Sequence, residues 1–163
     1  METLDYLKDR YAEELSRFNH FETKCSKFLT FITGIIGGMT AFASFTKETL
    51  LMPETPIGWI QLLLFCLSLF IAICAWGHSL LALRIGKCPI LPKSKVAASY
   101  INRVSETERI EYIYECYVDT LELLTEEIDK KSHNLELAYS ELTMSAWGLG
   151  ILGFLTIFVE TAK

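Results

Sequence analysis

The sequence predicts an all-α integral membrane protein, with three transmembrane helices and long helical cytoplasmic extensions forming a bundle. Three observations predict it. Apolar residues make up 51% of the 163 positions, but they are gathered into three blocks, and the rest of the chain is dense in charge. Each block is near the length of roughly 20 residues that a helix needs to cross a hydrocarbon layer about 30 Å thick. None of the blocks keeps the polar face that a helix at the surface of a soluble protein shows.

The first element, residues 1–27, contains no Gly or Pro and carries eleven charged side chains, so it lacks the apolar core of a signal peptide. The first span must then act as its own insertion signal. Leu4, Leu7, Tyr11, Phe18, Phe21, Cys25 and Phe28 recur at alternating three and four spacing, broken only at Glu14. That is an amphipathic helix with a coiled-coil-like seam, running directly into the first span at residues 28–46. An outer loop at 47–56 carries Pro53 and Pro56, and a second span covers 57–84. In lipid the backbone must satisfy its own hydrogen bonds, so these spans are helices.

A basic linker at 85–104 holds Lys87, Lys93, Lys95 and Arg103 and no acidic residue. It reads as a juxtamembrane patch contacting anionic lipid or a phosphate-bearing ligand. To climb beside a straight next helix it would have to be nearly extended, so either the second span prolongs into the cytoplasm or that helix bends. Residues 105–141 form an acidic cytoplasmic helix, opened by a capping box at Ser105 and Glu108. Nine acidic residues lie between Glu106 and Asp129, opposed only by Arg109. Its seam runs through Ile110, Tyr114, Tyr117, Leu121, Leu124, Ile128, Leu135, Ala138 and Leu142, with Lys131 as the exception. The polar run Lys131, Ser132, His133, Asn134 marks the expected bend. The third span covers 142–159, and 160–163 form an outer tail.

Basic residues set the orientation. Lys8, Arg10, Arg17, Lys24 and Lys27 precede the first span, whereas the outer loop holds only Lys47 and the tail only Lys163. The N-terminus and the segment at 85–141 are therefore expected in the cytoplasm, with the C-terminus outside. Trp59 and Trp147 stand near opposite faces as interfacial anchors.

The net charge of −5 excludes nucleic acid as a primary partner. Cys25, Cys66, Cys74, Cys88 and Cys116 form no metal or disulfide spacing. His20, His78 and His133 lie on separate segments, and no catalytic, metal or cofactor motif is present. The expected protein is not an enzyme and needs no cofactor. The features left to carry function lie in the spans. Gly34, Gly37 and Gly38 in the first, and Gly148, Gly150 and Gly153 in the third, allow close helix packing within a chain or between copies. His78, ionisable and inside the second span, either bonds a neighbouring helix or serves as a gate.

Three stretches carry a family resemblance. They are Glu22, Lys24, Lys27, Phe28 and Leu29 before the first span, the run from Tyr100 to Ser105, and Lys131, Leu135, Ala138 and Tyr139 before the last span. With the order of parts, they resemble the Pycsar-type transmembrane effectors of bacterial antiphage systems. The two-span SLATT effectors and retron-associated membrane effectors are similar in layout. The resemblance implies a homo-oligomer in the cell inner membrane that disrupts or depolarises it, triggered by a cyclic nucleotide or by a partner protein of the defence system. This chain shows no nucleotide-binding domain, and its helix from Glu106 is acidic, so for direct nucleotide sensing only Lys87, Lys93, Lys95 and Arg103 are available to phosphate. A membrane adaptor that recruits a soluble partner through its cytoplasmic helices is the alternative.

Overall fold

The computed structural model describes residues 2–83, 88–92 and 94–161. All secondary structure among these residues is helical. The helices are α1 (Glu2–Phe45), the single turn α2 (Lys47–Leu50), α3 (Pro56–Leu83), α4 (Lys95–Arg103) and α5 (Glu106–Thr161). The chain divides into two compact units. Unit 1 comprises Met1–Lys24 and Arg84–Lys131, and unit 2 comprises Cys25–Leu83 and Ser132–Lys163.

In unit 1, α1 and α5 lie parallel. Tyr11 meets Tyr117 edge-on with ring centroids 6.0 Å apart. Phe18 packs with Leu124 and Ile128, and Glu22 reaches Lys131. Each contact advances along both helices together, as a shared heptad register requires. Glu14 sits in the seam and is buried, held by Arg10 and Arg17 one turn to either side. Lys131 is also in the seam and only 4% exposed. Two polar residues that read as interruptions are thus core positions. The expected bend after Lys131 is corrected too, because the α5 helix continues without a break through residues 131–134. Ile110 and Tyr114, the first members of the α5 seam, are exposed.

The basic linker contains a helix that the sequence reading did not anticipate. Ser94 caps α4, its Oγ accepting from the Ala97 N–H at 3.1 Å. The chain leaves Cys88 beside Ile128 and reaches Tyr100 beside Tyr112, whose rings are 4.9 Å apart. That is a climb of about 24 Å along α5 at 1.5 Å per residue. Residues 88–92 are not helical and residues 95–100 are helix, so full extension is unnecessary. Lys87 and Lys93 lie outside the described residues, as does Lys163. At Ser105 the backbone N–H and the hydroxyl both donate to Glu108 Oε2, at 3.0 and 2.9 Å, which starts α5.

In unit 2, α3 runs antiparallel to α1 and α5. Trp76 meets Thr33 near one end, Phe42 meets Phe65 toward the other, and Gln61 bonds Thr156. Thr55 and Pro56 open α3 in the favoured order of N-cap and first-turn proline, with Thr55 Oγ1 accepting from the Gly58 N–H. A Cβ on Gly58 would come within 2.9 Å of the Pro53 Cβ, so glycine lets the loop fold onto the start of α3.

Candidate functional site

The chemistry of unit 2 lies in how its residues are sorted between inside and outside. On α3 the buried positions are Gly58, Phe65, Ser68, Ala72, Ala75, Ser79 and Ala82; from Phe65 on they recur at three and four spacing, and all but Phe65 are small. Leu63, Leu67, Phe70, Ile73, Trp76, Leu80 and Leu81 are exposed. On α5, Ala138 and Ser145 are buried, while Trp147, Ile151, Phe154, Ile157 and Phe158 are exposed. A soluble bundle sorts the other way, with large apolar side chains inside. Leu63, Trp147 and Phe154 are each 71% exposed. Three helices, α1, α3 and α5, are long and apolar enough to cross a membrane, and only 17%, 22% and 11% of their most apolar windows are buried. Exposed apolar area on this scale does not persist in water without a covering phase.

Small residues inside allow close approach. Gly148 is pressed against the side chain of Ser68, leaving no room for a Cβ. The Ser145 hydroxyl donates to the Ser68 carbonyl at 2.8 Å, adding a polar tie at the same crossing. Gly34, Gly37, Gly38, Gly150 and Gly153 differ, because a Cβ on any of them would meet nothing within 4 Å. Of the six glycines singled out from sequence, one is used within the chain and five face open space.

His78 and Glu141 form a hydrogen-bonded pair in unit 2. The Nδ1 of His78 lies 2.7 Å from Glu141 Oε2, and both side chains are partly exposed. Glu141 immediately precedes the apolar stretch of α5, so the pair ties α3 to α5 at the end of the bundle nearest unit 1 in sequence. Phe28 stacks on Tyr139 with centroids 4.1 Å apart.

The outer face of α1 has a chemistry of its own. Ser26, Thr30, Thr33, Gly37, Thr40 and Ser44 recur at alternating four and three spacing, and every one is exposed. Thr30, Thr33, Thr40 and Ser44 each donate their hydroxyl to the carbonyl four residues back, at 2.8–3.0 Å. Thr33 also accepts from the Trp76 indole N–H at 3.1 Å. This hydroxyl stripe was missed in reading the sequence. Its signal was present in the same three-four spacing used to find the apolar seams, applied to Ser and Thr.

In unit 1 the Lys131 ammonium lies 2.8 Å from Glu22 Oε1 and 4.3 Å from the centre of the Phe18 ring. Cys88 is beside them. Burial and the Glu22 carboxylate push its thiol pKa up, and Lys131 partly offsets this. Contact with Cys116, above all, pushes the Tyr112 phenol up. Lys95 and Arg103, at opposite ends of α4, are both exposed and are not brought together. Among the described residues, no group of three or more His, Cys, Asp and Glu side chains is placed to hold a metal ion.

Comparison with protein-family models, with curated proteins and with solved structures finds no match.

Proposed function

We propose that the chain is a multi-pass protein of the bacterial inner membrane. In this reading it is a membrane effector of an antiphage, abortive-infection system. When triggered, it assembles with further copies of itself and disrupts or depolarises the membrane. The N-terminus and residues 85–141 face the cytoplasm, and residues 47–56 and the C-terminus face outward, from the distribution of basic residues.

The observation that carries this reading is the outer face of α1. Large apolar side chains cover the outer faces of α3 and α5, as suits contact with lipid. On α1 a stripe from Ser26 to Ser44 is small and hydroxyl-bearing over about 27 Å at 1.5 Å per residue, nearly the thickness of a hydrocarbon core, with exposed Phe31 and Phe42 beside it. Small residues and hydroxyls are what helices in lipid present to other helices. They are also what a water-filled path between helices tolerates. Gly34 and Gly38 flank the stripe with open space beside them. The face therefore suits other copies of α1. The antiphage setting rests on the resemblance carried by Glu22 to Leu29, Tyr100 to Ser105 and Lys131 to Tyr139.

The test is dye uptake and membrane potential in bacterial cells producing the protein, under infection and under forced production. Leakage or depolarisation is expected, and Thr33→Leu with Gly37→Leu should abolish it while the protein still reaches the membrane. An intact potential under both conditions would sink the proposal.

A second reading, the adaptor, is favoured by one observation. In unit 1, Glu14, Glu122, Glu126 and Asp129 line a groove of about 460 Å³ with Arg10. Glu14 and Glu126 are paired with Arg10 and Lys130, while Glu122 and Asp129 form no ion pair among the described residues. A basic partner segment fits such a groove. Capture of a stable soluble partner with the membrane intact throughout would support it.

A further inference from the structure

At the end of unit 2 where α1 and α5 finish and α3 begins, the three helices and the loop between α1 and α3 enclose a cleft of about 540 Å³. That volume is in the range of small-molecule sites, roughly 300–1,000 Å³. Its lining is divided by chemistry. Phe42, Leu50, Leu152 and Val159 supply apolar lining, and Glu54 from the loop and Glu160 from α5 supply two carboxylates. Among the described residues, no Lys or Arg lines the cleft, and neither carboxylate takes part in an ion pair, unlike Glu13, Glu14, Glu22, Glu126 and Glu127. The walls are fixed without a ligand. Gln61 Nε2 donates to Thr156 Oγ1 at 3.1 Å across α3 and α5, and Gly58 seats the loop against Pro53.

We propose that this cleft binds an alkyl ammonium. The alkyl chain lies against the apolar lining at Phe42 and Leu152, and the cationic head sits by Glu54 and Glu160. An anion is disfavoured by the two like charges that line the cleft. A purely apolar ligand leaves both carboxylates unused, and a bare inorganic cation leaves the apolar lining unused. The head can come from a free amphiphile or from a lipid with an amine headgroup, since the cleft reads only charge and chain. This inference stands apart from the effector reading, because its test measures binding and not membrane damage.

The full chain in maltoside micelles, whose headgroups are uncharged, is titrated by native mass spectrometry with decyltrimethylammonium. Decyl sulfate is the control. Saturable binding of one ammonium per chain is expected, with at least tenfold weaker binding of the sulfate. Glu54→Gln with Glu160→Gln should weaken ammonium binding tenfold or more, and Glu54→Asp should retain it. Both side chains are exposed, so the Gln variants are expected to keep the parent circular dichroism. A parallel titration compares phosphatidylethanolamine with phosphatidylglycerol. Selective retention of the ethanolamine lipid, lost in the double variant, assigns the site to lipid headgroups. Binding of decyltrimethylammonium alone assigns it to free amphiphiles. Equal uptake of ammonium and sulfate, or a double variant that binds like the parent, overturns the proposal.

Discussion

Lys131 and Glu22 are joined across the α1–α5 seam by a 2.8 Å ion pair in which the lysine side chain is 5% exposed and the glutamate 37%. The pair is asymmetric. The cation is committed to the interior, while its partner keeps one side in water. The Phe18 ring adds a second contact to the ammonium.

That asymmetry orders two substitutions. Glu22→Gln leaves a buried ammonium without its counter-charge, whereas Lys131→Met replaces the ammonium with a side chain of similar length that can pack on Phe18, Leu124 and Ile128. Removing one partner of a buried pair is strongly destabilising, and replacing the buried charge by an apolar isostere is often near neutral. With Glu22 partly solvated, Glu22→Gln should cost about 1–3 kcal/mol and Lys131→Met less. Denaturant unfolding of the full chain in detergent, followed by circular dichroism, gives the order. Equal losses would show that the charge contributes nothing beyond its packing.

The glycines should separate by position. Gly148→Ala drives a methyl into Ser68 and should destabilise unit 2 by about 1–3 kcal/mol, the usual range for overpacking. Gly150→Ala meets open space and should leave the melting temperature of the detergent-solubilised chain unchanged or slightly raised. Under the assembly proposed above, the ranking of Gly34→Leu and Gly37→Leu reports the neighbour, because a Cβ at either position meets nothing within 4 Å in the chain itself.

Cys88 should behave as an unreactive thiol. Its pKa lies above the ordinary value, so the thiolate appears only at a higher pH than in the unfolded chain. Alkylation of a variant with Cys88 as its single cysteine should be slower than that of the denatured chain at pH 7 to 8. Glu22→Gln removes a negative neighbour and should speed it, and Lys131→Met removes a positive one and should slow it.

The first turn of α5 should be acid-sensitive. Hydrogen bonds from the Ser105 hydroxyl and backbone N–H hold the Glu108 carboxyl below the ordinary range. A depressed folded value means that the contribution is complete above the unfolded pKa, near 4.3, and is lost as pH falls through the lowered folded one. Amide exchange at residues 106–109 should accelerate over that window in the parent chain. Ser105→Ala should give fast exchange at neutral pH and flatten the dependence.

Much of the fold is written in spacing, and the parts that resisted reading share a cause. The apolar blocks, the seams and the capping box follow from three-four periodicity and from the Ser105–Glu108 interval. Lys131 and Glu14 were set aside as breaks because composition alone does not say that a charge at a seam position has found a partner. Lys131 finds Glu22 on another helix, 109 positions away. Helix α4 was hidden by its basic residues, although Ser94 and the following Ala97 and Ala98 are a start signal. Of the candidate site, the glycines and His78 were legible as residues but not in their directions. Which of them face inward depends on α3 carrying its small residues inside, and a fully apolar block has no polar face to reveal that choice.

Thr30, Thr33, Thr40 and Ser44 on α1 each donate their hydroxyl to their own backbone, which leaves acceptor capacity on their oxygens, part of it on Thr33 already taken by the Trp76 indole. A solitary chain thus strands no donor in hydrocarbon, and a neighbouring helix or a file of water molecules would still find acceptors waiting there. One surface can in this way be chemically quiet in a single copy and receptive in company, with no side chain having to change rotamer between the two conditions. For the effector proposed above, dormancy need not be imposed from outside; it can be a property of the unaccompanied helix.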